Sequence, residues 1–163
     1  MTTLHPKYLE TLKLYYEEEI EGEAYFFRMS ERLDDPGHSA KMRLLGEVET
    51  YAAAAVKPLL DKYKLTPRPA TELTASGRSQ ADAKPADWVL LLEEMRGTFP
   101  GYIDDFEALE AMAPAEDLAP LRTLTAHEIA AIAFLEREAK GDQSSTQPLV
   151  QYLKRFATNP SPG

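Results

Sequence analysis

The chain has 163 residues, enough for one domain with a real core and too few for two. Its 27 acidic residues against 18 basic ones give a net charge of -9, with no basic cluster, which argues against nucleic acid or an anionic membrane as partner. Cysteine is absent, which excludes disulfides, thiolate metal sites and thiol nucleophiles. Met1 to Pro6 lacks the charged start and apolar core of a signal peptide, and no apolar run approaches the roughly 20 residues of a membrane span. The expectation is a soluble cytoplasmic protein.

The first element is a helix over 8–33. Tyr8, Leu12, Tyr15, Glu19, Gly22, Phe26, Met29 and Leu33 follow one another in steps of four and three, the signature of one packed helix face. A glutamate inside that seam needs a partner, because burying a bare carboxylate is costly. Asp34-Asp35-Pro36-Gly37 breaks the helix, and so short a turn folds the next helix back antiparallel. The second helix is expected over 38–64. Its seam runs Met42, Leu45, Glu49, Ala52, Val56, Leu59, Tyr63, with Pro58 inside it.

The stretch 65–84 carries Pro67, Pro69, Gly77 and many small polar residues with little periodicity, and reads as a long loop. About 20 extended residues reach roughly 65 Å. A helix of about 27 residues is only roughly 40 Å long, so this loop can cross the whole bundle. A third helix is expected over 85–112, on the seam Trp88, Leu92, Met95, Phe99, Tyr102, Phe106, Leu109, Ala113. Gly97 and Pro100-Gly101 predict a kink or break near Phe99. A fourth helix follows from about Ala115 or Asp117 to Lys140, closed by Gly141. Its seam is Leu121, Leu124, Glu128, Ala131, Leu135, Glu138. Thr146 and Pro148 open a short helix, Leu149 to Phe156, expected to cover one end of the bundle. The domain is thus expected to span 1–157, with a disordered tail over 158–163.

Glu19, Glu49 and Glu128 each fall near the middle of a helix, so in an antiparallel bundle they meet at one height. Like charges that close require a cation or a proton, and hard oxygen ligands suit iron, manganese or magnesium. His127 is the one nitrogen within reach, beside the seam. The bland alternative is a polar cluster satisfied by protein alone, with Arg96 or the hydroxyls of Tyr15, Tyr51 and Tyr102 as donors. In that alternative His127 is a partly exposed side chain bonded to a neighbouring carbonyl. The acidic run at Glu17, Glu18 and Glu21 reads as a solvated face, while Glu23 lies one turn from Glu19 and is a further candidate. His5 and His38 lie near helix ends and read as solvent-facing or capping. Ile20, Phe27, Leu90 and Leu91 lie outside the main seams and suggest a second apolar face and a homodimer. No glycine-rich phosphate loop, Gly-x-Ser-x-Gly elbow or His-Glu-x-x-His motif is present.

Four long helices, a tight first hairpin, a long middle crossover and mid-helix glutamates resemble the ferritin-like superfamily, with its rubrerythrin-type and other di-iron carboxylate proteins. Glu19-Ile20-Glu21-Gly22 followed by Tyr25-Phe26-Phe27 is similar to the first-helix pattern of the rubrerythrin-like branch. His127-Glu128 with Phe134 and Glu138 is similar to a fourth-helix metal segment. The resemblance implies an all-α, ferritin-like antiparallel four-helix bundle with a long crossover between its second and third helices and a short C-terminal helix. It implies a metal site at Glu19, Glu49, His127 and Glu128, iron or manganese as cofactor, and dioxygen or peroxide chemistry. Two metals would require Glu-x-x-His on two helices. Ala52 and Ala131 stand where those histidines belong, and the third helix offers Phe99 and Tyr102 in place of a carboxylate. The alternative is a metal-free helical module for binding or interaction.

Overall fold

The computed structural model describes residues 3–157, and every regular element among them is helical. Six α-helices follow in order: α1 (Tyr8–Arg32), α2 (Pro36–Lys62), α3 (Ala70–Asp82), α4 (Trp88–Met112), α5 (Leu118–Ala139) and α6 (Gln147–Ala157). A single 3-10 turn, Ala115–Asp117, leads into α5. The expected tail over 158–163 lies outside the described residues.

Local chemistry sets the helix starts. Asp35 accepts a hydrogen bond from the His38 amide at 3.0 Å, and Pro36 occupies the first turn, so α2 begins at Pro36, ahead of the start expected at 38. Asp87 caps α4 in the same way through the Leu90 amide at 3.0 Å. Gly141, at φ +72, stands just past the end of α5 in the left-handed conformation that side chains resist.

Cross-chain bonds give the directions. Ser39 bonds the Ser30 carbonyl at the upper end of α1, and Tyr8 packs edge-on against Tyr63 at the lower end. Helices α1 and α2 are therefore antiparallel. The crossover rises beside α1: Glu17 accepts from the Arg68 amide, Glu21 from Ser76 and Gln80, and Arg28 bonds Asp82. Arg32 then holds the carbonyls of Ala81 and Lys84 near the top. Helix α4 descends and α5 climbs back, ending where Glu138 meets Lys41. Helix α5 packs on α4, α2 and α6, whereas α1 and α4 touch only sparsely.

Several expectations change here. The crossover does span the molecule, but it is not a loop. Its helix α3 buries Leu73, Gly77 and Ala81, one residue every four, and two of the three are too small to register as an apolar stripe. A Cβ at Gly77 would overlap the Glu21 carbonyl oxygen, so glycine alone lets α3 lie against the α1 backbone. Helix α4 runs unbroken through Gly97, Pro100 and Gly101, which all sit on its exposed side. There the single lost backbone hydrogen bond faces water. The short α6 does not cover an end. It lies along α5 and α2, burying Leu149 and Tyr152, with the Tyr152 hydroxyl donating to the Thr123 carbonyl at 3.1 Å.

The residues suggesting a second apolar face are partly consumed inside the chain. Leu91 is buried, and the Phe27 ring lies over Gly46, leaving Val89 and Leu90 exposed. The turn and helix at Ala115–Ala139 are long and apolar enough to cross a membrane, contrary to the reading that no such run exists. Their apolar residues Leu121, Leu124, Ala131, Phe134 and Leu135 are core residues here.

Two apolar clusters fill the interior. The upper one includes Phe26, Met29, Met42, Leu45, Phe134 and Leu149, and the lower one includes Tyr8, Leu12, Val56, Leu60, Leu121 and Leu124. On every long helix that supplies a carboxylate, that carboxylate falls between the two clusters.

Candidate metal centre

Between those clusters lies a polar layer built on α1, α2 and α5. Glu19 follows Leu12 and precedes Phe26 on the α1 seam. Glu49 stands between Val48 and Ala52, and the pair His127-Glu128 stands between Leu124 and Ala131. The structure brings all four sequence candidates together. His127 Nε2 is 3.1 Å from Glu19 Oε2, 3.4 Å from Glu49 Oε2 and 3.7 Å from Glu128 Oε2. One donor atom each from Glu19, Glu49 and His127 fall within 4.8 Å of one another, a spacing that fits one cation. Glu128 stands beside this triad.

His127 corrects the sequence reading. It does bond a neighbouring carbonyl, through Nδ1 to Leu124, but it is 1 % exposed rather than partly exposed. A carbonyl only accepts, so Nδ1 carries a proton. The remaining nitrogen, Nε2, is thereby turned on the carboxylates. This tautomer lock through a backbone carbonyl is the usual support of a metal-ligating histidine. Helix α5 has neighbours on three sides, so two adjacent positions, His127 and Glu128, are both enclosed.

The electrostatics are severe. Glu19 and Glu128 are 5 % and 4 % exposed. Glu19 Oε2, His127 Nε2 and Glu128 Oε1 are buried with no hydrogen-bond partner, although buried polar atoms are normally satisfied. Burial pulls the His127 imidazole down, but the charge and contact of Glu19, and then Glu128, push it up to about 10. Burial pushes the Glu128 carboxyl up to about 7, with His127 opposing and Glu19 adding to the rise. The layer needs positive charge, and among the described residues the His127 imidazolium is the cation placed against it.

None of the expected protein donors arrives. Arg96 pairs with Glu136 on the surface, and Tyr15 packs edge-on against Phe106. Tyr51 and Tyr102 are 38 % and 40 % exposed. The acidic run is not a uniform solvated face. Glu17 is buried on the Arg68 amide at 2.7 Å, and Glu21 holds α3 through Ser76 at 2.6 Å. Glu18 is exposed, yet the surrounding chain and the charges of Glu19, Glu21 and Asp105 push its carboxyl up to about 7. Glu23 bonds Thr50 on α2 and is not one of the three converging residues. His38 stacks on Trp88 at 4.4 Å, and His5 accepts from the Lys7 amide.

Gly22 is the residue whose role the sequence did not reveal. A Cβ there would stand 3.3 Å from the Glu49 carboxylate, so glycine leaves room for Glu49 to press against α1. The only signal was a glycine on the seam, three residues past Glu19.

Because α1 and α4 touch sparsely, a cleft of about 400 Å³ opens between them and reaches Glu19, Glu49 and Glu128. Phe99 and Tyr102, standing where a further carboxylate was sought, wall this cleft. Rings continue inward from Phe99 to Tyr102 at 6.0 Å, to Phe106 at 6.5 Å, and to His127 at 5.6 Å.

Comparison of the chain with protein-family models, with characterised proteins and with solved structures finds no match to any of the three.

Proposed function

We propose that this protein binds a single iron or manganese ion in a ferritin-like four-helix arrangement of α1, α2, α4 and α5. Glu19, Glu49 and His127 are its ligands, and Glu128 stands as the neighbouring carboxylate. The observation that carries the reading is the convergence of one donor atom each from Glu19, Glu49 and His127, of which Glu19 Oε2 and His127 Nε2 are buried without a hydrogen-bond partner beyond their own close pairing. Two carboxylates with one imidazole form an oxygen-rich set suited to iron or manganese, and the two carboxylates neutralise a divalent charge. One histidine and three carboxylates are too few for a two-metal centre. Glu19, Glu49 and His127 would hold the ion at the inner end of the cleft, where small molecules could reach it. Such a metal, when bound, supplies redox chemistry with dioxygen or peroxide; the chain's own part is to hold the ion, exclude bulk water and admit small molecules between α1 and α4.

A second reading rests on a specific observation, the upward push on His127. In it the imidazolium itself offsets the carboxylates, and the chain is a metal-free binding module. Elemental analysis of protein purified without chelator, with thermal melts in EDTA and in Mn(II), separates the two. About one iron or manganese per chain, and a Tm raised by Mn(II) in the parent protein but not in Glu49→Gln, supports the metal reading. No bound metal together with no Mn(II) effect on Tm overturns it in favour of the second.

A further inference from the structure

We infer that the cleft between α1 and α4 is a binding site for an organic ammonium ion carrying an apolar body. Six glutamates line it, Glu18, Glu19, Glu21, Glu49, Glu94 and Glu128, against one lysine, Lys84. Lys84 is committed to Glu94 by an ion pair, and Glu21 to Ser76 and Gln80. That leaves Glu18 at the mouth and Glu128 at the floor with no cation of their own apart from what the triad holds. Glu128 is buried, lines the cleft, and has its Oε1 unpartnered, so the floor presents an acceptor to an incoming donor.

The balance is negative whichever reading of the triad holds. A divalent ion is cancelled by Glu19 and Glu49, leaving Glu18 and Glu128. Without an ion, one imidazolium faces the buried Glu19 and Glu128 and the partly buried Glu49. Anionic substrates are therefore excluded by charge. The walls add selectivity, for Phe99, Tyr102 and Phe106 line one side, with Tyr25 and Phe26 opposite. Aromatic faces attract ammonium groups and pack on the apolar part of the ligand. The site does not require the metal, so the two ideas fail separately.

The test is calorimetric titration of the full chain with 2-phenylethylammonium and with 3-phenylpropionate, its anionic counterpart. The ammonium is expected to saturate with a Kd below ~10 mM and the carboxylate not to bind, with affinity falling as salt is raised. Glu18→Gln, at an exposed position, is expected to weaken the ammonium about fivefold, and Tyr102→Leu about threefold. Metal content of Glu18→Gln, read on the same sample, is expected to match the parent and reports on the triad alone. Comparable binding of the two probes, no saturation by the ammonium, or equal affinity in the parent and both variants would overturn the inference.

Discussion

Asp117 and the central glutamates are buried acids handled in opposite ways. Asp117 has no exposed surface and is fully served at the lower end of the molecule. Tyr8 donates to its Oδ2 at 2.8 Å, Tyr63 to the same oxygen at 2.5 Å, and Lys62 to Oδ1 at 2.6 Å. Burial raises its pKa, but these donors outweigh it and hold the carboxyl below the ordinary aspartate range. At mid-height, Glu19 and Glu128 are nearly as deeply buried, yet together with Glu49 they share the single imidazole of His127. A carboxylate matched by donors ties α1, α2 and the start of α5 together. Carboxylates left unmatched store repulsion, which folding tolerates only where something else draws on it.

The sharpest way to break this contrast is Asp117→Ala, expected to destabilise by about 3 kcal/mol in urea unfolding, because it strands the buried Tyr8 hydroxyl and removes the ties to Tyr63 and Lys62. The pH dependence fixes the sign. The folded pKa of Asp117 lies below the unfolded value of 3.8, so its contribution is present above pH 3.8. The gap between parent and Asp117→Ala is expected to close as pH falls below that value.

Next in size is metal linkage. Mn(II) at about 100 times its Kd is expected to stabilise the parent and Asp117→Ala alike by about 2.7 kcal/mol, and Glu49→Gln not at all. An Asp117→Ala protein that lost the Mn(II) effect would show the two regions to be one unit.

Smaller and opposite in sign is Glu128→Gln. In metal-free protein it is expected to be neutral or to stabilise by up to about 1 kcal/mol, since it removes one of three crowded charges. The folded pKa of about 7 lies above the unfolded 4.5, so the penalty relieved is full above pH 7 and gone below pH 4.5. Urea melts at the two ends of that window check it.

The finest probe is Gly22→Ala. The added methyl meets the Glu49 carboxylate at 3.3 Å while improving helix propensity, so stability is expected to change by less than about 1 kcal/mol. Mn(II) affinity is expected to fall about threefold or more. Unchanged affinity would mean that Glu49 does not depend on the space glycine leaves.

Much of this was legible beforehand. Seams in steps of three and four placed Glu19, Glu49 and Glu128 on inward faces at one height, because a helix converts sequence spacing into azimuth and rise. The Asp117 knot was not, since it joins residues 109 and 54 positions apart through side chains whose seams say nothing of pairing. Helix α3 escaped because Gly77 and Ala81 bury themselves without being apolar enough to form a stripe.

The four long helices, the hairpin at Asp34–Gly37, the crossover's reach and the level at which the acids gather all follow from residue order alone. The inward turn of His127, the helix α3 within the crossover, and the cleft between α1 and α4 come from how the helices assemble. Periodicity specifies which way a residue points from its own helix axis. How many neighbours surround that helix, and how closely each approaches, is set by the packing of the whole, and burial, tautomer and access all follow from that number.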